Sequence, residues 1–136
     1  MHRILQPDGW VAPRGYAHGV AAQGTLVSIA GQIGSNAQGQ LESDDFAAQA
    51  RQALSTVLAV LLQAGGGPQH IVRMNWYMTS LAEYTAAGKA LGAAYRELMT
   101  GAGGKLCFPA MTALEVSALM EPRAKVEIEA TAVIPG

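Results

Sequence analysis

Between Ser43 and Pro68 the apolar residues Phe46, Ala50, Leu54, Val57, Leu58 and Leu61 recur every three or four positions, with Arg51, Gln52, Ser55 and Gln63 mostly off that stripe. This spacing predicts an amphipathic helix. Ser43-Asp44-Asp45 offers a cap and negative charge at its start, and Gly65-Gly66-Gly67-Pro68 ends it. A second helix opens at Ser80-Leu81-Ala82-Glu83, the pattern of a capping box in which Ser and Glu side chains satisfy each other's free backbone N–H groups. Its apolar stripe is Tyr84, Gly88, Leu91, Tyr95 and Leu98, and Gly101-Ala102-Gly103-Gly104 forms a loop after it.

The remaining segments predict strands. Gly19–Gln23 and Thr25–Ile33 flank Gln23-Gly24 and suggest a hairpin, with Gly24 supplying the positive φ of the turn. Ile71–Thr79 alternates Val72, Met74, Trp76, Met78 with Arg73, Asn75, Tyr77, Thr79. Ala110–Leu119 and Lys125–Ile134 are separated by Met120-Glu121-Pro122-Arg123, where Pro122 cannot donate to a ladder. The expected order is β-β-α-β-α-β-β, an α+β fold with two helices on one face of a mixed sheet. The strands carry apolar residues on both faces, Val126, Ile128 and Ala130 on one and Val133 on the other. The uncovered face therefore calls for a partner, and a closed homo-oligomer with a cleft between subunits is the economical answer.

Composition sharpens this picture. The 136 residues predict one domain, 1–136, with about 6,700 Å² of folded surface for this mass. Half the residues are hydrophobic and only 14% charged, below the usual quarter, which again implies contact with another subunit. A net charge of −1 provides no basic stripe for a phosphate backbone, so nucleic acid is not an expected partner. The apolar run 53–64 is too short and too interrupted to span a bilayer, so no membrane role is expected. One cysteine, Cys107, and the polar start Met1-His2-Arg3 suit a reducing cytoplasm.

Strong enzymatic motifs are absent. His2, His18 and His70 lack metal-ligand spacing, so no metal is expected, and the glycine runs lack the Lys-Ser/Thr of a phosphate loop. Glu127 and Glu129 share one strand face beside Lys125; such a face is commonly just solvated, but lining a cleft it could orient or deprotonate water. Tyr16, in Arg14-Gly15-Tyr16-Ala17-His18, either packs its ring or offers a hydroxyl. Gly31, after Ala30, either bends its strand or lets a ligand approach the backbone. Met111, after Phe108-Pro109-Ala110, is by default a packing residue, and Arg73, Arg96 and Arg123 are by default surface ion-pair partners.

Taken in order, Gly15-Tyr16, Ile29-Ala30-Gly31-Gln32-Ile33, Phe108-Pro109-Ala110 and Val126-Glu127-Ile128-Glu129-Ala130 resemble the RidA (YjgF/YER057c/UK114) family over nearly the whole chain. The resemblance implies a chorismate-mutase-like fold and a homotrimer with a central barrel, helices outside and three clefts between subunits. Members of that family hydrolyse reactive enamines and imines such as 2-aminoacrylate to a 2-keto acid and ammonia, without a cofactor. Glu127 matches the water-positioning glutamate, Tyr16 the substrate-contacting tyrosine, and Gly31, with Ala30 beside it, the glycine whose backbone lines the pocket. The arginine that clamps the substrate carboxylate falls at Met111, a pocket-lining position two residues on is Ala113, and an asparagine of the second helix falls at Gly92.

Loss of a bidentate guanidinium removes roughly 1.5–3 kcal/mol of charge-assisted hydrogen bonding, enough for two powers of ten in efficiency. Two readings follow. One is a hydrolase of an imine, enamine or related metabolite other than 2-aminoacrylate; the other is a non-catalytic trimer that binds a metabolite or a protein. Arg14, His18 and Arg123 are the further candidates for the cleft, and the acidic balance argues against a ribonuclease.

Overall fold

A computed structural model describes residues 2–136; Met1, included in the expected domain, lies outside the described residues. The first predicted helix is α1, Phe46–Gln63. Phe46, Ala50, Leu54, Val57 and Leu61 are buried and Leu58 packs against them, so the stripe is the buried face. Asp45 caps the helix by accepting the Ala48 N–H at 3.0 Å. At the other end Gly65 adopts a left-handed φ of +81°, and the Gly66 N–H returns to the Leu61 carbonyl at 3.1 Å.

The second predicted helix is two helices, α2 at Leu81–Ala86 and α3 at Gly88–Leu98, joined at Ala87. Only half of the capping box forms. Ser80 Oγ accepts the Glu83 N–H at 3.1 Å, but the Glu83 carboxylate turns outward to Lys125 Nζ at 2.7 Å. Tyr84, Leu91, Tyr95 and Leu98 pack on the core, whereas Gly88 is exposed.

Among the described residues six strands form two sheets. β1 (Arg3–Leu5) pairs with β2 (Gly19–Ala21), and β3 (Thr25–Ile33), β6 (Val126–Ile134), β4 (Ile71–Met78) and β5 (Ala110–Glu115) follow one another in the main sheet. The expected hairpin between β2 and β3 does not form: β2 turns back on β1, and β3 runs antiparallel to β6. A Cβ at Gly24 would meet the Ile134 carbonyl oxygen at 2.1 Å, so the segment before β3 is pressed against the end of β6. The strand expected over 110–119 stops at Glu115 because its parallel partner β4 stops at Met78; the Val116 N–H to the Met78 carbonyl, 2.8 Å, ends the pairing.

The fold is therefore α+β, with the helices on one face of a mixed four-stranded sheet. Met74, Trp76 and Met78 of β4 and Val126, Ile128, Ala130 and Ala132 of β6 are buried beneath the helices. Alternation sends Arg73, Asn75, Tyr77, Glu127 and Glu129 to the other face, which no helix covers. The edge strands add Leu26, 65% exposed, and Leu114, 48% exposed, to that face. The chain alone exposes 7909 Å², above the roughly 6,700 Å² of a monomer of this size.

Candidate functional site

Ala30 and Gly31 form a β-bulge. The β3–β6 register passes from Ile29↔Ala130 to Gln32↔Ile128, so two residues of β3 oppose the single residue Glu129. The bulge brings the Gly31 backbone under the carboxylate of Glu127: a Cβ at Gly31 would lie 2.0 Å from Glu127 Oε2 and 2.8 Å from its Cδ. Gly31 thus meets the demand for close approach by a side chain of its own chain. Among the described residues the Glu127 carboxylate has no hydrogen-bond or ion-pair partner, which leaves its oxygens available to water or ligand.

Glu129, two residues on, is committed. The Tyr77 hydroxyl and the Asn75 amide both donate to its Oε1, the latter at 3.0 Å. These two hydrogen bonds, the Tyr77 one foremost, hold the carboxyl below the usual carboxylate range, with the Arg73 charge adding to them against a partial desolvation. The same bond pushes the Tyr77 phenol upward. Arg73, Asn75 and Glu129 line a groove of about 500 Å³ on the open face, with Ala30 at its rim.

Met111 and Ala113 lie elsewhere. Their register partners Met74 and Trp76 put them on the helix-covered face, opposite to Glu127. There they floor a cavity of about 520 Å³, walled by Trp76, Tyr95 and Phe108. Tyr95 and Phe108 stack with centroids 5.6 Å apart, and the Tyr95 hydroxyl donates to the Cys107 carbonyl at 2.8 Å. Burial raises the Tyr95 phenol well above its ordinary value, so this wall stays neutral. Gly92 and Arg96 of α3 close the helix side.

The other candidates are distributed around these two regions. Gly15 borders the Met111 cavity, because the Ala17 N–H bonds the Pro109 carbonyl at 2.9 Å and lays this segment along the start of β5. The Tyr16 ring turns to the neighbouring hollow with Arg14 and His18, stacked edge-on against His18 at 5.5 Å. Arg123 is held by Asp44 at 2.9 Å and the Leu41 carbonyl, so it does not reach either region. Arg96, expected in a surface ion pair, has none among the described residues and instead lines the Met111 cavity. No group of three or more His, Cys, Asp or Glu that could hold a metal occurs among the described residues, and no helix there is long and apolar enough to cross a membrane.

Residues 10–134 match the family described as Endoribonuclease L-PSP. Among solved structures, the chain is similar to the Rid family protein YyfB of Yersinia pestis, with 32% identity, 98% of each chain covered and a TM-score of 0.78. It is similar to the YjgF gene product of E. coli, with 31% identity over 96% of this chain and 98% of that one and a TM-score of 0.68. E. coli TdcF, solved with bound serine, shares 26% identity over 97% and 98% of the two chains, with a TM-score of 0.69. The curated proteins contain no match. With the bulge, the paired glutamates and the sheet order in place, the chain belongs to the Rid/YjgF/UK114 family, the endoribonuclease L-PSP group.

Proposed function

We propose that this chain is the subunit of a homotrimeric hydrolase acting on an imine, an enamine or a related small metabolite in the cytoplasm, without a cofactor. The observation that carries the reading is the unpartnered Glu127 carboxylate poised over Gly31, beside a Glu129 already engaged by Tyr77 and Asn75. Glu127 accepts a proton from water as the water oxygen bonds to the C=N carbon. That proton passes to nitrogen, and as the C–N bond breaks the proton of the newly added hydroxyl follows it, so that ammonia leaves and a carbonyl remains. Glu127 and Met111 point to opposite faces of one sheet, so their meeting requires two subunits, with the uncovered face and the exposed Leu26 and Leu114 supporting assembly. A relative solved with serine supports a ligand of amino-acid size.

Met111 leaves the floor of the cavity without a cation, so 2-aminoacrylate should be a poor substrate and Met111→Arg should raise its hydrolysis at least tenfold. The deciding measurement is turnover of a panel of imines generated in solution. Glu127→Gln should reduce kcat by about 10²–10⁴ with the oligomer intact, whereas Glu129→Gln should cost far less. Equal losses would overturn the role of Glu127. Absence of turnover on every imine would favour the second reading, a metabolite- or protein-binding trimer, to which the cavity of a single chain also conforms.

A further inference from the structure

Among the described residues the Met111 cavity has one charged residue in its wall, and it comes from a helix rather than the sheet. Trp76, Tyr95, Phe108 and Met111 contribute apolar surface, and Arg96 alone contributes charge. Among the described residues the Arg96 guanidinium has no salt-bridge partner, whereas Arg51 holds Glu97 at 2.8 Å and Arg123 holds Asp44 at 2.9 Å. Gly92, one turn earlier on α3, provides the room: a Cβ there would stand 3.5 Å from Arg96 Nη1 and 4.0 Å from Nη2. The guanidinium therefore lies along the space that a longer side chain at position 92 would fill.

We propose that Arg96 is the specificity-determining residue of this cavity, binding the carboxylate of an organic acid whose aromatic or branched apolar body fills the space above Met111 and Ala113. The inference rests on reading that cavity as the ligand site. A guanidinium pairs with a carboxylate through two parallel N–H donors and is weakly hydrated, so it suits the mouth of an apolar pocket. A cavity of about 520 Å³ is within the range of small-molecule sites. A three-carbon acid held at Arg96 would leave most of it unfilled, whereas an aromatic body would lie against the Tyr95–Phe108 stack. Methionine at 111 fits the same scheme, because a second guanidinium on the floor would repel the first and displace the apolar body.

The test is calorimetric titration with 3-phenylpropanoate, its neutral amide and propanoate, on wild type, Arg96→Gln and Arg96→Lys. Wild type should bind 3-phenylpropanoate at least tenfold more tightly than either the amide or propanoate. Arg96→Gln should erase the advantage over the amide by weakening acid binding far more than amide binding, and Arg96→Lys should restore part of it. Arg96 is exposed, so the substitutions should keep the fold, and wild-type titrations at rising salt give a second measure in which the acid's advantage must shrink. Equal binding of acid and amide by wild type, or an advantage that survives Arg96→Gln or high salt, would overturn the proposal. Failure of the hydrolase reading is separate: acid discrimination that depends on Arg96, in a protein that turns over no imine, would leave this inference standing and remove only the catalysis.

Discussion

On the helix-covered face, alternate residues of β4 and β6 from Met74 to Ala132 are buried among the side chains of α1. On the open face the intervening positions are Arg73, Asn75, Tyr77, Glu127 and Glu129, and hydrogen bonds join Asn75 and Tyr77 to Glu129. The same four strands therefore carry a finished core on one side and a polar strip flanked by Leu26 and Leu114 on the other. On the proposed function the division also separates chemistry from recognition, with the free carboxylate on the open face and the apolar cavity under the helices.

The largest contrast between the faces should appear on truncation. Leu54 is fully buried at the centre of α1's stripe, so Leu54→Ala should cost about 2–5 kcal/mol in urea unfolding, through lost transfer energy and a residual cavity. Leu26→Asp combined with Leu114→Asp should leave the subunit folded, because both side chains already face solvent in the single chain. Sedimentation should instead report dissociation to monomers. A wild-type monomer, or a double variant that unfolds as readily as Leu54→Ala, would break the distinction between a closed face and an associating one.

What could be read from the residues follows the same division. The period of α1 and the alternation of β6 were legible because burial against one's own chain leaves a regular apolar stripe. β1 was not, since Arg3, Ile4 and Leu5 are all exposed and owe their conformation to pairing with β2. Gly24 carried a turn signal but serves close approach to Ile134, and only the tertiary partner distinguishes the two uses. Glu127 and Gly31 stood out by strand position and took their roles from motif resemblance, and the bulge supplies their physical connection. Arg96 was read as a surface charge because nothing local shows which wall an arginine lines once α2 and α3 break at Ala87.

A smaller effect distinguishes the two glutamates by pH. Glu129 has its carboxyl held low chiefly by the Tyr77 hydroxyl, then by the Asn75 amide. A carboxyl whose folded pKa is depressed contributes stability that is present above the unfolded value, about 4.3, and is lost as pH falls through the lower folded value. Tyr77→Phe removes the larger cause, so the fall in stability on acidification below about pH 4.3 should be shallower in the variant. At neutral pH the same substitution should cost about 1 kcal/mol, the usual net worth of one such hydrogen bond. Parallel acid limbs for the two proteins in thermal melts from pH 3 to 7 would show that the Tyr77–Glu129 contact is not made in solution.

The finest comparison uses one glycine from each face. At Gly31 a methyl group would fall 2.0 Å from Glu127 Oε2 and 3.0 Å from its Cγ, so Gly31→Ala must drive the carboxylate aside. The displaced side chain leaves its rotamer, at a cost of about 1 kcal/mol. At Gly92 the added methyl would rest 3.5 Å from Arg96 Nη1, an ordinary contact, in the middle of α3. There alanine is the better helix former, and Gly92→Ala should stabilise the chain by about 0.5–1 kcal/mol. The same substitution thus carries opposite signs on the two faces, because one glycine makes room for a side chain across a sheet and the other for a guanidinium one helical turn away. Measured by urea unfolding under identical conditions, destabilisation at both positions would mean that α3 has no room beside Arg96, and stabilisation at both would mean that Glu127 does not rest on Gly31.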